Sequence, residues 1–409
     1  MSTLWSIAFR NVLRNRRRTV ITLSALTIGI AAVGSIRGLL NGLQETIRRG
    51  TVEGALGAVQ VHRTGYLANV LSTPLALDFE LDEALLTKVK AVKGVTAVAP
   101  RIQFAGSLTL SAKDESDTPE ALFFSATAID PRLEFTVCPQ RQQLFTPGTT
   151  FDDTHVVLGD ALAVAFGAKP EAEAVLLAPD RDGSLNGELA TIGGAMRAIM
   201  PGEMKIAVVP LGLAQRLLRM EGRVTELAIA IDDLEQVDQV AAELQASLGP
   251  SFEVHAWGEV MPDRKLAMQR QNGISMVISA VFMLLMLLGV ANTMLMSVLE
   301  RTREVGTMMA VGLTRGGVRT LFLLEALMLG ALGGAGGLAL SVLITLGLAR
   351  RGIHFTPPSA TMAVDVVPFL TLKFTVLVAL VAMLGAVVFA LYPAIRASRL
   401  RPVEALAGR

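Results

Sequence analysis

Apolar positions in this 409-residue chain fall into two regimes. Four long runs carry almost no charge: Val20–Ile36, 17 residues closed by Arg37; Ile274–Leu299, 26 residues; Thr320–Ala349, whose one charge is Glu325; and Phe374–Ile395, 22 residues. A helix needs about 20 apolar residues to cross a bilayer, and a Lys or Arg at its centre costs roughly 2.5–3.5 kcal/mol. Runs this clean predict four transmembrane helices, arranged one plus three. No small-residue cleavage site closes the first run, so it reads as a span and not as a signal peptide.

Between runs one and two the pattern changes to short strands and amphipathic helices. Ala58–Val61, Val95–Ala99, Phe104–Leu110, Leu122–Ile129, Ala174–Leu177, Ile206–Val209, Leu227–Ile231 and Phe252–His255 read as strands. Asp82–Val92, Asp160–Phe166, Leu211–Met220 and Leu234–Leu248 read as helices, by the 3.6-residue spacing of their apolar positions. Leu227–Ile231, the helix opened by Asp232-Asp233, and the strand after it form a β-α-β unit. Ser111–Glu120, polar and Pro-containing, reads as an exposed loop. Ile36, Leu39, Leu40, Leu43 and Ile47 continue the first helix beyond the membrane. Pro262 is placed to open a second stalk leading through Lys265–Gln271 into run two.

The fold class is therefore an α-helical membrane protein with four transmembrane helices and a large extracytoplasmic α+β domain between the first and second. In numbers, residues 1–18 form a basic amphipathic helix, 19–42 the first span and 43–271 the external domain with stalks at both ends. Residues 272–299 form the second span, 300–319 a connector, 320–349 the third span, 350–373 a short outer loop, 374–395 the fourth span and 396–409 a tail.

Composition agrees: hydrophobic residues make up 52% of the chain, charged residues 18%, and aromatics only 5%, with a mean hydropathy of +0.51. The net charge of +1 hides two opposite halves. Residues 43–271 hold 31 Asp/Glu and 20 Lys/Arg, a net −11, and the remainder is +12. Arg10, Arg14, Arg16, Arg17 and Arg18, then Arg301, Arg303, Arg315 and Arg319, then Arg396, Arg399, Arg401 and Arg409 fall on one side of the spans. The opposite short loop holds Arg350, Arg351 and Lys373. The excess of cationic residues predicts both termini in the cytoplasm and the large domain outside it, in the periplasm or at the cell exterior.

Chemistry is sparse. No Lys follows a Gly, so the 409 residues contain no GxxxxGK[ST] phosphate loop. His62, His155, His255 and His354 are scattered, the single Cys138 reads as a buried small side chain, and Gly187–Gly194 around Glu188 contains no nucleophile–base set. No catalytic or metal site is expected. Glu325 is the one ionisable group inside a span; a proton or ion path is one reading, and pairing with a nearby arginine such as Arg319, or snorkelling, the simpler one. Gly330/Gly334 and Gly333/Gly337 are GxxxG pairs that let helices approach closely. Asn292 is placed to hydrogen-bond a facing helix.

The connector reads Asn292-Thr293, then Val298-Leu-Glu300-Arg301-Thr-Arg303-Glu304-Val305-Gly306, then Ala310-Val311-Gly312. Phe322-Leu-Leu-Glu325-Ala326 with Gly330 and Gly334 follows, and the chain closes on Tyr392-Pro393-Ala394, Arg396-Ala397-Ser398-Arg399-Leu400 and Pro402-Val403-Glu404-Ala405-Leu406. At the start stand Arg10-Asn11-Val12, Arg14-Asn15-Arg16 and Arg18-Thr19. These four motifs, in this order, resemble the FtsX-like, MacB-type (type VII) permeases of ABC transporters; Met309 departs from the Lys or Arg many members carry. The resemblance covers the membrane part, whereas the external domain is similar in size and broad pattern only.

The resemblance implies a permease without catalysis of its own, working by mechanotransmission with a separate cytoplasmic ATPase dimer that holds the ATP and Mg, and with a second permease subunit, identical or related. Glu300, Arg301, Arg303, Glu304, Gly306 and Gly312 would form a coupling helix whose mixed charges suit a polar groove of the ATPase. Layout is most similar to the lipoprotein-releasing LolC/LolE-type permeases, implying lipoproteins or a periplasmic adaptor as partners. MacB-like efflux of a small molecule or peptide and FtsX-like control of wall hydrolases are the alternatives, with an ATPase-independent membrane sensor or scaffold last.

Overall fold

The computed structural model describes residues 2–14, 16–110, 121–167, 169–197, 206–355 and 363–400. The expected loop Ser111–Glu120 and the closing motif Pro402–Leu406, with Arg401 and Arg409, lie outside the described residues. The chain divides into two compact units: residues 1–44, 268–353 and 366–409 in one, residues 45–267 and 354–365 in the other.

The chain opens with α1 (Ser2–Arg14) and α2 (Arg16–Thr51), whose last turn passes into a π turn at Val52–Leu56. The second unit then builds strands β1 (Val59–Arg63), β2 (Phe79–Glu80), β3 (Val95–Leu110), β4 (Leu122–Ile129), β5 (His155–Gly159), β6 (Glu173–Pro179), β7 (Leu185–Met196), β8 (Ile206–Pro210), β9 (Arg223–Val224), β10 (Glu226–Ile231) and β11 (Phe252–Ala256). Its helices are α3 (Glu83–Lys90), α4 (Pro131–Val137), α5 (Pro139–Leu144), α6 (Asp160–Phe166), α7 (Leu211–Leu218), α8 (Val237–Leu248) and α9 (Trp257–Val260). The chain continues with α10 (Pro262–Glu300), α11 (Thr302–Ala310), α12 (Arg315–Arg351), the short pair β12 (Ile353–Phe355) and β13 (Val364–Val366), and α13 (Leu372–Ser398).

Among the described residues four helices are long and apolar enough to cross a membrane, those of residues 16–56, 262–300, 315–351 and 372–398. Helices α12 and α13 pack tightly, because α13 presents a file of wholly buried alanines at one-turn spacing: Ala382, Ala386, Ala390 and Ala394. Small residues of this kind let backbones close up where lipid offers no hydrophobic drive. The glycines of α12 serve two neighbours. A Cβ on Gly330 would meet Ala386 at 3.0 Å, whereas one on Gly333 or Gly337 would meet Leu26 or Ile30 of α2 at 2.6 or 2.5 Å. Gly334 faces the same side as Gly330, toward Ala379 of α13.

In the second unit nine strands run in the order β11-β1-β10-β3-β4-β8-β5-β7-β6, and β6 returns to pair with the far half of β3. That extra pairing closes β3, β4, β8, β5, β7 and β6 into a six-stranded barrel, which removes two free edges. Beyond it β11, β1 and β10 extend as an open sheet. Strands β10 and β11 flank β1 and both run antiparallel to it, with α8 as the crossover, so the β-α-β unit is present. Val89 of α3 and Val240 and Leu244 of α8 join the core that contains Val59, Val61 and Leu227, and α4 lays Val137 and the buried Cys138 against Ala99 and Ala228.

Three expectations change. Val95–Ala99 and Phe104–Leu110 are one 16-residue strand that crosses from open sheet to barrel. Strands β5 and β7 are new, as are the short β2, β9, β12 and β13; β7 holds Gly187, Gly193 and Gly194, in a stretch to which the sequence reading assigns no element. Gly194 (φ +150°) sits where the β5–β7 register slips, and a Cβ there would lie 2.5 Å from Thr149 Oγ1. Helices α4 and α5 are also new, each opened by a proline at its first turn.

Candidate functional site

The connector is short and tightly made. Helix α10 ends at Glu300, Arg301 (φ −105°, ψ 18°) turns the chain, and α11 runs to Ala310. Gly312 (φ +109°) closes it, with its N–H donating to Met309 O at 3.1 Å and that of Leu313 to Met308 O at 3.0 Å. This paired closure needs a left-handed residue, which Gly adopts without a Cβ penalty. Gly306 is buried on the inner side of α11 beside Val305.

Arg301 points into the helix bundle. It is only 6% exposed, and its Nη1 donates to Glu325 Oε1 at 2.9 Å while its Nε donates to Glu304 Oε2 at 3.0 Å. Glu325, 4% exposed, also accepts from Asn11 Nδ2 of α1 at 2.7 Å. Arg14 pairs with Glu304, and Arg18 of α2 pairs with Glu300 at 2.9 Å and donates to the backbone of Thr293. Asn11, Glu325, Arg301, Glu304 and Arg14 thus join α1, α11 and α12, while Arg18 ties α2 to α10. Burying Arg301 and Glu325 is tolerable because each is paired and hydrogen-bonded; removing one partner of such a buried pair typically costs about 3–5 kcal/mol.

This corrects two expectations. Glu325 is held by Arg301, not Arg319, whose Nε donates instead to Ser398 Oγ at 2.9 Å. Of the four charges expected to face a polar groove, Arg301 turns inward to Glu325, whereas Glu300 and Glu304, their side chains 52% and 43% exposed, pair with Arg18 of α2 and Arg14 of α1. Only Arg303 is exposed without an ion pair among the described residues. Asn292 is exposed and makes no hydrogen bond among them, so the expected bond to a facing helix is not formed within this chain.

What the connector offers outward is mostly apolar. Leu4 and Ile7 of α1, Met308, Val311 and Leu313 of the connector and Leu321 of α12 line a groove of about 510 Å³, and Val311 is 90% exposed. Its apolar lining was not apparent from the connector motif, because Leu4 and Ile7 come from the far end of the sequence.

A second buried cluster lies in the other unit, where no sequence pattern announced it. Arg101, fully enclosed on β3, donates in bidentate fashion to Glu134 of α4 at 2.7 and 2.8 Å and to Glu226 of β10 at 3.0 Å. It also donates to the carbonyl of Leu56 at 3.2 Å. Arg141 of α5 caps the neighbouring carbonyls of Gly54 and Ala55 at 3.2 and 2.7 Å, and Cys138 Sγ donates to Val52 O at 3.4 Å. The last carbonyls of a helix have no partners within it, and here buried guanidinium groups supply them. Burial raises the Glu134 carboxyl, but Arg101 and Arg141 outweigh it and hold the group below the usual range. Among the described residues no group of three or more His, Cys, Asp or Glu stands together as a metal site.

Two family models match. Residues 19–247 match the MacB-like periplasmic core domain, and residues 276–402 match the FtsX-like permease C-terminal domain. The macrolide export ATP-binding/permease protein MacB of Hyphomonas neptunium is 26% identical over 437 aligned residues, covering 98% of this chain and 60% of its own. A pyoverdine export ATP-binding/permease protein, PvdT of Pseudomonas putida, is 33% identical over 188 residues, 44% of this chain and 26% of that one. The chain spans about three fifths of the length of the first of these relatives. Among solved structures, the periplasmic region of MacB from Actinobacillus actinomycetemcomitans aligns with 54% of this chain and 98% of its own at 10% identity, with a TM-score of 0.36.

Proposed function

Because the chain belongs to the FtsX-like, MacB-type permease family, we propose that it is the membrane-spanning part of an ATP-driven transporter whose ATPase lies outside these 409 residues. The observation that carries this reading is the connector. A short helix tied to the membrane helix α12 and to α1 by the Arg301–Glu325–Asn11 network, with an apolar groove on its outer side, is built to receive a push and pass it into the bundle. The arginine-rich side is the cytoplasmic one in this reading, and the acidic unit is periplasmic. Two copies, or this chain and a relative, work as a pair.

The relatives named for macrolide and pyoverdine export favour export of a small molecule or peptide as the task of the whole assembly. Lipoprotein release rests on layout alone, and the export proteins share that layout. Affinity purification of the chain from its native membrane tests the core of the proposal. Recovery of an ABC-type ATPase, lost when Val311 is replaced by Glu, is the expected result. A preparation that never retains an ATPase contradicts it. Depletion of the chain followed by assays of lipoprotein location and of compound export then separates the two cargo readings.

A further inference from the structure

Five arginines stand between positions 10 and 18, and they have different fates. Arg14 and Arg18 are used up by Glu304 and Glu300. Arg10, Arg16 and Arg17 are exposed and have no ion pair among the described residues. Beside them α1 shows two distinct apolar stripes. Ala8 and Val12 are buried in the helix bundle. Trp5, Phe9 and Leu13, four residues apart and so on one face, are 50%, 52% and 56% exposed.

The direction of α1 is fixed where it meets the first span. Thr19 Oγ1 donates to the carbonyl of Val12 at 2.7 Å, tying the last turn of α1 to the first turn of α2. An apolar stripe anchored at the mouth of a membrane helix and flanked by exposed guanidinium groups matches one environment, the boundary between acyl chains and headgroups. The partner is selected by charge. Each Arg near an anionic lipid surface is attracted by it, and zwitterionic headgroups offer no such gain.

We propose that the Trp5–Phe9–Leu13 face of α1 inserts into the bilayer interface and that Arg10, Arg16 and Arg17 recruit anionic lipid headgroups around it. This inference concerns lipid contact and needs no ATPase, so its failure would leave the proposed function standing, and the reverse holds too.

The chain has only two tryptophans, so the variant Trp257→Phe leaves Trp5 as sole reporter in the full-length protein. Reconstituted into nanodiscs with equal fractions of brominated phosphatidylglycerol or brominated phosphatidylcholine, its emission should be quenched by both lipids, and several-fold more by the former. Added to it, Arg10→Gln with Arg16→Gln and Arg17→Gln should make the two quenchings equal without abolishing either. Should that variant fail to fold, the Trp257→Phe protein alone gives the same test, because raising salt to 1 M shortens the screening length to about 3 Å and should erase the preference. Absence of quenching by either lipid, as when a protein partner or water covers the stripe, overturns the proposal. So does equal quenching at low salt.

Discussion

The two buried arginines show how similar chemistry can make two different joints. Arg101 is wholly enclosed, and its donors are shared among Glu134, Glu226, Cys138 and a helix-end carbonyl. It fixes the end of α2 within one compact unit. Arg301 is also buried, but its partners are ranked by exposure: Glu325 is enclosed, whereas Glu304 is 43% exposed and shared with the exposed Arg14. The first cluster is a rivet whose central guanidinium is enclosed on every side. The second is a graded linkage, tight toward the membrane helices and loose toward the connector surface.

The largest expected effect breaks the rivet. Arg101→Met leaves Glu134 and Glu226 facing each other in the interior and should cost about 3–5 kcal/mol. Denaturant unfolding of a Trp5→Phe background, with Trp257 as reporter of the external unit, measures it, and a loss under 1 kcal/mol would show that the cluster is not the joint described. Acid should reach the same site. The carboxyl of Glu134 is depressed in the folded state, so its stabilisation is complete above its ordinary value of 4.5 and is lost as pH falls through the lower folded value. In that window wild type should lose stability more steeply than a Glu134→Gln variant, and parallel profiles would contradict this.

Next in size is the packing beneath the linkage. Gly337→Leu places a side chain where even a Cβ lies 2.5 Å from that of Ile30, and overpacking of this kind costs about 1–3 kcal/mol. The thermal midpoint in detergent should fall, and an unchanged midpoint would mean that α2 moves aside freely. The smallest effect is expected at the loose end of the linkage. Arg14→Ala removes a mostly exposed pair and should change stability by less than about 1 kcal/mol, so a loss as large as that of Arg101→Met would erase the distinction between the two joints.

Much of this architecture is legible in the sequence, for identifiable reasons. The spans stand out because lipid forbids charge along 17 to 26 residues, and Gly330, Gly333 and Gly337 mark helix contacts where even a Cβ would be crowded. Local chemistry fails where partners come from far away. Glu325 is six residues from Arg319 and 24 from Arg301, yet the turn at Arg301 brings the distant one into reach. Arg101 and Glu134 are 33 residues apart on a strand and a short helix, and no periodicity links them. Strand β7 was hidden by its glycines, of which Gly193 and Gly194 sit at the bulge near its end.

The central claim is that the Arg301–Glu325 link carries motion from the connector into the membrane helices. Glu325→Gln removes the charge and keeps the shape, and the groove that would receive the ATPase stays intact. Amide hydrogen exchange on the full chain purified with its ATPase, with and without ATP, tests this directly. Wild type should show an ATP-dependent change in exchange within residues 45–267, whereas Glu325→Gln should bind the ATPase and permit hydrolysis yet show little or none of that change. An undiminished ATP-dependent response in Glu325→Gln would contradict the account.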